Sequence, residues 1–263
     1  MGRWDSAFMQ LEICVDSVES AIAAERGGAQ RVELCSDLLE GGITPSAGLL
    51  ALVRQRIRIG VFVMIRPRGG DFCYTDLEFQ VMQQDIGRAR EMGADGIILG
   101  VLDRHALVDV ARTRELVELA EPLPVTFHRA IDMTPDPTAA LNDVMETGAA
   151  RVLTSGGAAK VTEGASVVAR MVETAGERIT VMAGGGITAE TIQRIAEETG
   201  AQEFHASLRS VCPSPVEFHR RNVQMGEVGD REYLRYVVNE GNVRALATAL
   251  QRMAEERTAA GPR

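Results

Sequence analysis

The chain has 263 residues, 45% of them hydrophobic and 25% charged, with 26 glycines and 9 prolines spread between apolar runs; this excludes a collagen-like or disordered chain, and one large domain of that size buries a core without disulfide or metal staples. Its 28 Lys and Arg against 37 Asp and Glu leave a formal charge of −9, which argues against nucleic-acid phosphates or an anionic membrane as partners. No apolar run reaches the ~18–20 residues of a membrane span, and Met1-Gly2-Arg3-Trp4-Asp5 lacks the layout of a signal peptide, so a cytoplasmic protein is expected.

Short β-rich runs at residues 11–15, 31–35, 59–65, 95–99, 124–128, 151–154, 179–183 and 203–206 alternate with amphipathic helical patterns near 17–27, 46–57, 76–92, 108–120, 136–147, 164–176, 189–199 and 240–257. Helix starts are marked by Asp16 with Glu19, a capping-box-like pair, and by Thr44-Pro45 and Thr134-Pro135, each a cap before a proline. Helix ends carry Gly27-Gly28, Gly93, Gly148 and Gly200. This rhythm predicts parallel strands with helical crossovers, an α/β chain folded as a (β/α)8 TIM barrel. It is read as a single domain over residues 1–263, with the barrel at about 11–257 and flexible termini at 1–10 and 258–263. An open doubly wound sheet competes, weakened by the lack of a strand-linked GxGxxG. Residues 207–239 break the rhythm with Pro213, Pro215, His219, Asn222 and an apolar run from Tyr233 to Val238, and predict a lid or an oligomer contact.

Barrels build their sites at the C-terminal ends of their strands. Those ends hold Glu12 and Cys14, Glu33 and Cys35, Arg66 and Arg68, Asp103, His128 with Arg129 and Asp132, Ser155, and His205 with Ser207. Alternation puts Glu12 with Cys14 on one face and Glu33 with Cys35 on another. The thiols are 21 residues apart, one βα period, which predicts comparable heights on neighbouring strands. Two thiols there suit a soft cation such as Cu(I), with Met64 or Met182 as a third ligand; packing as small apolar fillers is the alternative. Cys73 and Cys212 fall in loops.

Interior carboxylates need partners, for which Arg66 and Arg68 are the candidates. The outcome is either an ion-pair layer or a poised general acid or base. The catalytic candidates are therefore Glu12, Glu33, Arg66, His128, Asp132 and His205. Fork-shaped Arg68 and the bare amides of Ser155, Gly156, Gly157, Gly184, Gly185 and Gly186 are the candidates for holding an anion.

The segments Leu11-Glu12-Ile13-Cys14-Val15-Asp16, Arg31-Val32-Glu33-Leu34-Cys35-Ser36, Glu40-Gly41-Gly42-Ile43-Thr44-Pro45, Met64-Ile65-Arg66-Pro67-Arg68-Gly69-Gly70, Thr126-Phe127-His128-Arg129-Ala130, Thr154-Ser155-Gly156-Gly157 and Phe204-His205-Ala206-Ser207 together resemble the CutC copper-homeostasis family. The resemblance implies a (β/α)8 barrel, a cytoplasmic homo-oligomer, a part in copper handling and a Cu(I) site at Cys14 and Cys35; the acidic charge and helical exterior permit a dimer or a tetramer. No organic cofactor is expected. Beside it stands a reading from the residues alone, a barrel enzyme acting on a small phosphorylated or carboxylated metabolite at the C-terminal mouth. There Arg66 and the turn at 184–186 hold the anion and Glu12 or His128 moves the proton. A barrel that has lost its chemistry is the third alternative, and the sequence leaves open whether the chain is an enzyme.

Overall fold

Strands that read as near-continuous apolar runs need cover on both faces, and helical crossovers supply it. The computed structural model describes residues 9–220, 222–225 and 232–260. In it β1 (Gln10–Val15), β2 (Arg31–Leu34), β3 (Gly60–Met64), β4 (Gly96–Leu99), β5 (Val125–Phe127), β6 (Arg151–Thr154), β7 (Thr180–Gly184) and β8 (Glu203–Ala206) close, in that order, into a parallel barrel. Around it run α1 (Val18–Gly27), α2 (Ala47–Arg56), α3 (Asp76–Glu91), α4 (Val110–Ala120), α5 (Pro137–Glu146), α6 (Val161–Ala175), α7 (Ile192–Thr199) and α8 (Glu240–Ala260). This is the expected (β/α)8 architecture. Leu11, Ile13 and Val15 of β1 and Phe204 of β8 are fully buried among the apolar side chains that join barrel to helices.

Three helix starts differ from the sequence reading by one or two residues. Ser17, not Asp16, caps α1 and accepts from the Ser20 amide, while the Asp16 carboxylate turns to Arg209. Ser46 caps α2, because the Thr44 hydroxyl is committed to the backbone of Arg66. Asp136 caps α5 with Pro137 in the first turn, while the Thr134 hydroxyl donates to the Ile131 carbonyl. That bond closes a 3₁₀ turn over Arg129–Met133 which the apolar periodicity did not announce.

Within residues 207–239, β9 (Arg209–Pro213) and β10 (Leu234–Val238) form an antiparallel ribbon outside the barrel. Val211, Val216, Phe218 and Met225 of this arm are exposed. Residues 221 and 226–231 lie outside the described residues, as do 1–8 and 261–263 of the expected flexible termini; β1 already begins at Gln10 and α8 runs to Ala260. Among the described residues no helix is long and apolar enough to cross a membrane.

Candidate functional site

The floor of the barrel is ionic. Arg31, at the start of β2 and 6% exposed, places Nε 2.5 Å from Glu12 Oε2 and Nη2 2.7 Å from Glu203 Oε2. Arg151 of β6 reaches the same Glu203 oxygen at 2.7 Å. Both guanidinium groups also pack on the Phe62 ring, at 4.8 and 5.5 Å. Burial alone would raise the Glu12 pKa, but Arg31 and His205 outweigh it and hold the carboxyl at about 2.

One layer higher the strands bring a thiol pair and two titratable groups together. Cys14 stands opposite Glu33 in the β1–β2 register, so Cys35 sits two residues further up its strand than the level that equal spacing predicted. The stagger belongs to a closed barrel, and the side chains meet on the diagonal with their Sγ atoms 3.6 Å apart. Met64, Phe62 and Ile98 pack against them. His205, opposite Glu12 on β8, puts Nδ1 2.8 Å from Glu12 Oε1 and Nε2 3.4 Å from Glu33 Oε2. Ligand atoms of Cys14, Glu33 and His205 all lie within 4.8 Å of one another.

The charges follow from that packing. Its hydrogen bond with Cys35, burial and the Glu33 charge push the Cys14 thiol well above the usual range. Burial, only partly offset by His205, raises Glu33. Burial opposes a proton on His205, yet Glu33 and Glu12 outweigh it and the pKa rises.

Above the thiols opens a cavity of about 460 Å³ at the C-terminal mouth, lined among others by Cys14, Glu33, Arg66, His128 and His205. Arg66 is 5% exposed. Its Nη1 donates to the carbonyls of Glu40 and Gly42 and its Nη2 to that of Gly70. His128, 4% exposed, accepts from the Ala130 amide at Nδ1. Three buried atoms of cavity-lining residues make no hydrogen bond: Glu33 Oε1, Arg66 Nε and His128 Nε2. A larger hollow, about 820 Å³, lies between α1 and α8. Among the described residues no such unpartnered polar side chain lines it.

Other expected groups are placed differently. Asp132 accepts from the Thr154 hydroxyl, the Ser155 and Gly157 amides and Arg129 Nε, so the anion held by the loop after β6 is the protein's own carboxylate. The Gly156 amide goes to the Thr154 hydroxyl. Arg68 is outside the cavity lining and pairs with Glu78 and Asp71. Gly184 ends β7, and Gly185 and Gly186 do line the cavity. Ser207 and Arg209 reach it from the foot of the arm. Met182 is drawn down to Arg31, which donates to its Sδ, leaving Met64 as the thioether beside the thiols. Neither Arg66 nor Arg68 neutralises Glu12; Arg31 does that, and Glu203 and Arg151 complete the same ionic set, all three from strand N-terminal ends. Attention confined to strand C-termini missed these three. Their signal was a charged residue on the inward phase of an otherwise apolar strand, as Arg31 is to Glu33.

The CutC family model matches residues 9–210, a span that ends inside β9 and leaves most of the arm outside. A CutC family protein of Chromobacterium violaceum is 50% identical over 242 residues, covering 92% of this chain and 98% of that protein. The human copper homeostasis protein cutC homolog is 51% identical over 237 residues, covering 90% and 87% of the two chains. Among solved structures, CutC from Streptococcus agalactiae matches with a TM-score of 0.72 and 35% identity over 76% of this chain and 99% of that one.

Proposed function

The chain belongs to the CutC family, and from that premise we propose that it serves copper homeostasis by binding Cu(I) between Cys14 and Cys35, with His205 as a third ligand. The reading is carried by one observation, the sulfur pair 3.6 Å apart beside an imidazole whose Nδ1 is already held by Glu12. At a metal–sulfur bond of about 2.3 Å, two sulfurs at the tetrahedral angle stand about 3.8 Å apart. The pair therefore suits bent coordination with room for a third donor. A carboxylate on one ring nitrogen fixes the tautomer and leaves the other nitrogen for a metal, and here a ring nitrogen of His205 lies within 4.8 Å of Cys14 Sγ and a Glu33 oxygen. Thiolate ligands select a soft ion. Four free cysteines also support a reducing, cytoplasmic setting.

Loading requires Cys14, kept protonated by its surroundings, to release its proton, so affinity rises with pH. The test is an anaerobic Cu(I) competition titration against a coloured chelator. The expected result is one ion per chain, with affinity at least a hundredfold weaker in the Cys14→Ser, Cys35→Ser double variant and at least tenfold weaker in His205→Phe. Equal affinity of parent and double variant would overturn the reading.

A further inference from the structure

We propose that the mouth cavity is also a binding site for a small organic molecule bearing an oxyanion, a carboxylate or a phosphate, whose oxygens are received by Arg66 Nε and His128 Nε2. This goes beyond the copper reading and does not depend on it. A lone metal ion fills only a small part of about 460 Å³, a volume in the range of small-molecule sites.

The argument rests on buried donors with nothing to donate to. Native proteins leave few buried polar atoms unpaired, and each exception calls for a reason. Because His128 Nδ1 accepts from the Ala130 amide, the ring proton sits on Nε2, which is buried and unbonded. Arg66 spends both terminal nitrogens on loop carbonyls, leaves Nε unbonded, and has no carboxylate within ion-pair distance among the described residues. A buried cation without a counter-charge is costly. The Tyr74 hydroxyl lies within reach of Arg66, but burial pushes its pKa up to about 12 and keeps it neutral, so it supplies no counter-charge.

The two donor side chains share one aromatic partner and line one cavity. Arg66 and His128 each pack on the Phe72 ring, with separations of 4.9 Å in both cases. Burial and the Arg66 charge hold His128 neutral, at about 3, so its Nε2 donates and its other nitrogen stays an acceptor throughout the physiological range. Across a closed eight-stranded barrel the strand opposite β3 is β7. The turn after β7 presents Gly185 and Gly186 at φ of 106° and 77°. Their amides have no acceptor among the described residues, and backbone donors in that conformation suit a second oxygen-bearing end of the same ligand.

The test uses the full chain, thermal unfolding and calorimetry. Inorganic phosphate and glycerol 3-phosphate form one arm, oxalate and malate the other, and glycerol serves as the neutral control. The expected result is a rise of several degrees in Tm with at least one anion and none with glycerol, the responding arm naming the oxyanion. Binding should weaken at least tenfold in His128→Asn, which keeps the acceptor for the Ala130 amide and deletes the Nε2 donor, and in Arg66→Met. If Arg66→Met does not fold, His128→Asn decides alone. The anion titrations are run on the parent free of copper, so a response there stands whatever the Cu(I) titration shows, which separates this site from the copper reading. No response to any of the four anions, or an undiminished response in His128→Asn, would overturn the proposal.

Discussion

A histidine that stays neutral inside a folded chain but not outside it makes stability depend on acid. His128 titrates near 6.5 when unfolded and at about 3 when folded, through burial and then the charge of Arg66. Below pH 6.5 the unfolded chain takes up a proton that the folded one refuses, so stability falls as pH drops toward 3, and the effect vanishes above 6.5. Between pH 7 and 4.5 the loss is about 2–3 kcal/mol. Glu12, depressed to about 2, loses its contribution only as pH falls below about 4.5, whereas Glu33 and His205, both raised, act in the opposite sense, so the share of His128 is read from the difference between parent and variant. Urea unfolding of the parent and of His128→Asn at both pH values should show a smaller acid loss in the variant; identical losses would mean that His128 does not carry the effect. At this scale the sequence disclosed which residues gather but not how they are spent. Glu12, Cys14, Glu33, Cys35 and His205 were legible from strand phase alone. Asp132 was legible as a mouth residue too, yet its commitment to the amides of Ser155 and Gly157 depends on a 3₁₀ turn that leaves no periodic mark.

At the scale of elements, two helical glycines should respond in opposite senses to the same change. Alanine is favoured over glycine in a helix interior by about 1 kcal/mol. At Gly87 in α3 an added Cβ meets nothing within 4 Å, and Gly87→Ala is expected to stabilise by about that amount. At Gly164 in α6 the same atom would stand 2.0 Å from the Ser155 carbonyl oxygen. The first turn of α6 lies directly against the loop after β6, so Gly164→Ala should lower stability by about 2 kcal/mol or more. Thermal unfolding of both variants checks the pair, and a higher Tm for Gly164→Ala would contradict the close approach. Element boundaries were legible to within a few residues because apolar periodicity and terminal glycines mark them. The ribbon of β9 and β10 was not, since its strands are only partly buried and carry no continuous apolar run on both sides. Its Tyr233–Val238 side announced itself as apolar without saying what it pairs with.

For the whole molecule, the decisive contacts are those that join strands distant in sequence. Arg31 on β2 holds Glu12 on β1 and Glu203 on β8, and so ties together three adjacent strands across the seam where the barrel closes. Removing one member of a buried ionic set leaves the others uncompensated, at a cost of about 3–5 kcal/mol. Arg31→Met should therefore unfold at markedly lower urea than the parent, and Glu12→Gln added to it should recover part of the loss, because Glu203 keeps Arg151 while Glu12 loses its guanidinium. A double variant no better than the single one would show that the cost is packing, not charge. Fold class was legible at this scale because eight βα units leave few architectures open. The ionic floor was not, because its bonded pairs lie up to 172 residues apart and only closure brings them together.

That floor has a consequence for traffic. Among the described residues Arg31, Arg151, Glu203 and the Phe62 ring pack together below the thiols, and the cavity that reaches Cys14 opens at the mouth. Whatever reaches Cys14 passes the mouth, and it must leave by the same way. An ion seated on the sulfurs with a guest above it would obey a last-in, first-out order, and hand-over to another molecule would wait on the guest's departure.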